Sequence, residues 1–139
     1  MLPGGDQSIA VVISADEKVI VGEARASGGF WHAFRWTAAT GMVDLGTLGG
    51  PESGAFAVNG DGSVIVGSAL ISQSTGSDHA FRWTAKTRMQ DLTKLVNVPQ
   101  RLILQSAVGV SADGTVITGN GFNTRLGMDE PWRAVLPLP

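Results

Sequence analysis

Apolar residues fall in short runs separated by turn-forming residues, and four kinds of run recur along the chain. The first alternates small and large apolar side chains, as in Ala10–Ile13 and Ala55–Val58. It leads into Asn59-Gly60-Asp61-Gly62, residues that tolerate the positive φ of a tight hairpin. The second is β-branched and about four residues long, the composition of a strand buried on both faces: Val19-Ile20-Val21-Gly22, Val64-Ile65-Val66-Gly67 and Val116-Ile117-Thr118-Gly119. The third alternates His32, Phe34 and Trp36 with Ala33, Arg35 and Thr37, so that one face is large and mostly apolar. The fourth, Gly41–Leu45, follows the link Ala38-Ala39-Thr40-Gly41, short enough to impose an antiparallel hairpin.

These runs repeat. His32–Ala38 returns letter for letter as His79–Ala85, 47 residues later, and Gly41-Met42-Val43-Asp44-Leu45 is echoed by Arg88-Met89-Gln90-Asp91-Leu92. A period of this size means one supersecondary unit stacked on itself. Ser14-Ala15-Asp16, Asn59-Gly60-Asp61 and Ser111-Ala112-Asp113 mark three such units in one repeat domain, spanning about 8–52, 53–104 and 105–139. In the third, Arg133-Ala134-Val135 is taken as the match to His-Ala-Phe, which puts Leu136 at the arginine position and leaves no fourth strand.

The third and fourth strands can be registered against each other. With Thr37 facing Met42, Trp36 faces Val43 and Arg35 faces Asp44, and the same count sets Arg82 opposite Asp91. Both partners are missing from the third unit under this alignment, so the two pairs are read as structural ion pairs. Asp91–Val96 carries Leu92, Leu95 and Val96 at helical spacing before Pro99, the mark of a single helical turn.

Composition narrows the function classes. The chain has 139 residues, 43% of them apolar, enough for one buried core, and no apolar run nears the roughly 20 residues needed to span a bilayer. A net charge of −2 with scattered basic residues gives no phosphate-tracking stripe, so neither nucleic acid nor membrane insertion is expected. Cysteine is absent, which removes disulfides and thiolate chemistry. The opening residues Met1–Asp6 show no secretory leader.

His32–Thr37, Gly41–Gly50, Ser14-Ala15-Asp16 and their copies resemble the HAF family of probable extracellular repeats, named for its His-Ala-Phe tripeptide. Asp91–Val96 followed by Ala107–Gly114 is similar to the segment that often closes such arrays. The resemblance implies a bacterial, exported or surface-associated protein with no assigned enzymatic activity, and it carries over no catalytic residues.

Four antiparallel strands per period match a propeller blade, a small sheet packed face to face on its neighbours. The expected fold is therefore all-β and propeller-like, with three repeats and an incomplete last one. Three blades leave two flanks uncovered, so two copies closing as a six-bladed homodimer are expected. The alternatives are a three-sided β-prism and an open β stack.

Function is expected in the loops joining the second and third strands, read as Glu23–Trp31, Ser68–Asp78 and Asn120–Trp132, which vary in length on a fixed scaffold. They gather Phe30, Trp31, Ser72, Gln73, Ser74, Phe122, Asn123, Arg125 and Asp129, aromatic, amide and hydroxyl groups suited to a glycan or a surface protein. His32 and His79 sit at equivalent repeat positions, and no cofactor or metal is expected. The competing reading is a propeller-type hydrolase of glycans or esters acting through Asp129.

Overall fold

The computed structural model describes residues 1–139, and each of the three units forms one antiparallel sheet. The first sheet holds β1 (Ser8–Ile13), β2 (Ile20–Arg25), β3 (Trp31–Thr37) and β4 (Gly41–Asp44). The second holds β5 (Ser53–Val58), β6 (Ile65–Leu70), β7 (Asp78–Thr84) and β8 (Arg88–Asp91). A helical turn, α1 (Leu92–Leu95), separates these from the third sheet of β9 (Leu102–Val110), β10 (Val116–Asn123) and β11 (Met128–Val135). Each sheet is antiparallel, with neighbours in chain order. The protein is all-β, three sheets of four, four and three strands, and no sheet closes into a barrel.

The sheets stack in sequence. Val19, Val21, Ala33 and Leu45 on the trailing face of the first sheet pack against Ile65, Phe81 and Trp83 on the leading face of the second. Val64, Val66, Ala80 and Leu92 repeat those acceptor positions one unit later, against Leu104, Ile117 and Trp132 of the third. The doubly buried second run therefore has its cause: alternate residues serve two different sheet interfaces. A propeller-like arrangement is compatible with this order. The leading face of the first sheet keeps the same apolar pattern without a neighbouring sheet: Leu2 covers Ala24 and Phe34, while Val11 and Ile13 are each 48% exposed.

The glycine ending each second run meets a steric limit. A bulge in β1, β5 or β9 drives a carbonyl against it, and an added Cβ would lie 2.0 Å from Ile9 O at Gly22 and 1.9 Å from Gly54 O at Gly67. No other residue fits there.

The hairpins joining the first two strands of each sheet share one device. Ser14 Oγ, Asn59 Oδ1 and Ser111 Oγ accept the backbone N–H of Val19, Val64 and Val116. These turns also bond across units, Asp16 N to Gly60 O at 3.1 Å and Gly60 N to Ala112 O at 3.0 Å, a backbone ladder along one edge of the stack.

Two expectations need correction. Thr37 pairs with Gly41, Arg35 with Val43 and Phe34 with Asp44; likewise Arg82 pairs with Gln90 and Phe81 with Asp91. The link is one residue shorter than read, because Gly41 (φ 65°) and Arg88 (φ 60°) already close the turn in the left-handed region. A slip of one residue flips the face, so Asp44 and Asp91 turn away from Arg35 and Arg82 and instead meet His32 and His79, each 2.8 Å away.

The third unit shifts as well. Gly119 pairs with Trp132 as Gly22 pairs with Phe34 and Gly67 with Phe81. Glu130-Pro131-Trp132 is thus the counterpart of His-Ala-Phe, and Arg133, rather than Leu136, holds the arginine position. The arginine persists in all three units; the histidine and its aspartate are the pair lost together. The expected helical turn is present, capped by Asp91 accepting Thr93 N.

Candidate functional site

The turns between second and third strands are shorter than read. They span residues 26–30, 71–77 and 124–127, since β2, β3, β10 and β11 extend through much of the segments assigned as loops. Trp31, Phe122, Asn123 and Asp129 accordingly sit on strands.

These side chains have different surroundings. Phe30 is exposed, and Trp31 carries the Arg25 guanidinium 5.7 Å from its ring centroid. Ser72 Oγ is 2.6 Å from Thr75 Oγ1 and accepts Thr75 N, closing its own turn, while Gln73 and Ser74 point to solvent. Asn123 is fully committed to structure: its Oδ1 accepts Arg125 N and Leu126 N, and its Nδ2 donates to Glu130 Oε2 at 2.7 Å. Phe122 is half-buried, and Arg125 and Asp129 are exposed at the far hairpin. The nine residues are spread over three sheet ends, and of them only Trp31 lines a cavity.

That cavity, about 230 Å³, lies between the first and second sheets. Trp31 and Phe56 supply aromatic wall, Leu70 an aliphatic one, and Glu23, Glu52 and Asp78 bring carboxylates from β2, the linker before β5 and the start of β7. Phe56 reaches it because it is the extra residue of the β5 bulge. Gly54 leaves room for Glu23, whose Oε2 would lie 2.9 Å from an added Cβ. Partial desolvation pushes the Asp78 carboxyl, at the exposed end of β7, above the ordinary carboxylate range, against the opposing pull of His79. None of the three carboxylates pairs with a Lys or Arg within 4.0 Å. No three His, Asp or Glu side chains converge in metal-binding geometry, and no helix is long and apolar enough to cross a membrane.

The chain matches no family model, no curated protein and no solved structure. The cleft thus has to be interpreted from its own chemistry. Sequence reasoning missed Glu23, Glu52 and Asp78 because they converge only when two sheets stack. The available signal was Asp78 immediately before His79-Ala80-Phe81, a carboxylate at the mouth of a strand whose other end is core.

Proposed function

We propose that the protein is a non-enzymatic, extracellular or cell-surface repeat module related to the HAF repeats, and that its inter-sheet cleft binds a glycan. The observation that supports this is the lining: an aromatic wall beside carboxylates free of protein cations. A sugar ring offers an apolar face for Trp31 and Phe56 and hydroxyl donors for Glu23, Glu52 and Asp78. Screening on a glycan array, followed by tryptophan fluorescence titration, tests it. Trp31→Ala is expected to weaken a hit about tenfold, and binding indifferent to Trp31 and Glu52 would sink the cleft reading.

One observation favours a hydrolase as the second reading. Asp78, with its raised pKa, stands in the same cleft as two other carboxylates, and an acid beside a base is what glycoside hydrolysis uses. Asp129, exposed near the β10–β11 hairpin, lies outside that cleft. Turnover of an array hit that disappears in Asp78→Asn while binding persists would establish the enzyme; binding without turnover supports the module.

A further inference from the structure

The third sheet has one strand fewer than its neighbours. β4 and β8 cover the outer edges of β3 and β7, while β11 has no strand beyond it. In the first sheet Leu45 N donates to Ala33 O, and by the alternation of an antiparallel ladder Ala33, Arg35 and Thr37 turn their backbone groups towards β4. The equivalent residues of β11 are Pro131, Arg133 and Val135. Two N–H groups and three carbonyls are left facing outward, the template on which an added strand forms.

A groove of about 540 Å³ runs along this edge, with the consecutive residues Pro131–Pro137 on one side and Leu95–Pro99 on the other, over Leu102 and Leu104. Its depth follows from a substitution between units. Ala134 holds the place of Trp36 and Trp83, and the methionine that faces that tryptophan, Met89 in the second unit, packs against the core. The third unit lacks both side chains. Its charge is also inverted: Glu130 stands where His32 and His79 hold the aspartate of the fourth strand.

We propose that this groove takes an extended segment of a partner polypeptide by β-augmentation, antiparallel to β11. The segment places an unbranched apolar side chain opposite Ala134, as Met42 lies opposite Trp36. Two residues on, opposite Trp132, it places a basic side chain that reaches Glu130, as Asp44 reaches His32. The site is separate from the cleft and does not depend on the glycan reading.

Fluorescence anisotropy on the whole 139-residue protein tests it, with a labelled peptide of residues 40–48 and the same peptide carrying Asp44→Lys. The lysine form is expected to bind about tenfold more tightly, and Met42→Asp in the peptide to abolish binding. Methylating the peptide nitrogen of Val43 removes one ladder hydrogen bond without touching the protein and is expected to weaken binding comparably. Arg133→Pro in the protein does the same from the other side. Equal affinity for the two charge forms, indifference to N-methylation, or no binding at about 1 mM peptide would overturn the proposal. So would a dimer of the protein alone that the peptide disperses, which would make the occupant a second copy.

Discussion

His79 Nδ1 lies 2.8 Å from Asp91 Oδ2, and the aspartate side chain is 7% exposed against 39% for Asp44 in the equivalent pair of the first unit. The same Asp91 carboxylate accepts Thr93 N, so one side chain ties the β7–β8 hairpin to the helical turn that follows it.

A double-mutant cycle separates this pair from the arginine next to it. His79→Ala is expected to cost about 1–3 kcal/mol because it takes a hydrogen-bond donor from a buried carboxylate, and His32→Ala less, since its partner is better solvated. Coupling between His79 and Asp91 should be clear in urea denaturation, and coupling between Arg82 and Asp91 close to zero. The reverse result would restore the register expected from sequence.

Gly62 sits at φ +74° with its absent Cβ only 2.2 Å from Val19 Cγ2 of the preceding sheet. Gly62→Ala combines left-handed strain with overpacking at a sheet interface and is expected to cost about 2–4 kcal/mol. Trimming the obstacle with Val19→Ala should recover part of that loss in the double variant. If thermal melts show additive losses instead, the two residues do not touch.

The Asp113 carboxyl is lowered to about 2, first by the Ser111 hydroxyl and then by Thr115 through its backbone N–H and side chain. A folded-state pKa below the unfolded value of 3.8 stabilises the fold fully above pH 3.8, and that contribution fades as the pH falls towards 2. Ser111→Ala removes the largest cause. Its Asp113 carboxyl resonance should therefore titrate nearer the ordinary value, and acid unfolding should begin at higher pH. An unchanged Asp113 titration would show that the hydroxyl is not what holds the proton off.

The strand runs, the hairpin turns and the one-sheet-per-unit plan could all be read from the chain because each depends on local chemistry: β-branched runs, Asn-Gly-Asp-Gly, and a glycine where a bulge presses. Register could not be read so directly. Whether Gly41 belongs to the turn or the strand depends on one φ angle, and in the second unit Arg88 adopts that angle with no glycine to announce it. The third unit misaligned because Ala134 copies one letter of the repeat while Trp132, a different aromatic, holds the position that packs over the strand glycine. Apart from the placing of Asp78 before His79-Ala80-Phe81, the convergence of the cleft carboxylates had another obstacle. Glu23 and Asp78 are brought together by sheet stacking, which no local pattern encodes.

Last, Glu17 is the first-unit counterpart of Gly62 and Gly114, with φ 62° where they have 74° and 78°. In both later units that position presses on a valine of the sheet before it, Gly62 on Val19 and Gly114 on Val64. The first unit has no sheet before it, and a side chain is accommodated. Were two copies to close into the six-bladed ring expected from the repeat count, that side chain would project into the seam, where the chain's own interfaces admit only a hydrogen atom. In such a ring Glu17 would act as a doorstop on the leading flank. Replacing it should make the flank stickier: light scattering of Glu17→Gly is expected to show more association than the parent chain at equal concentration, and an unchanged mass would mean that the flank is closed to its own kind for some other reason.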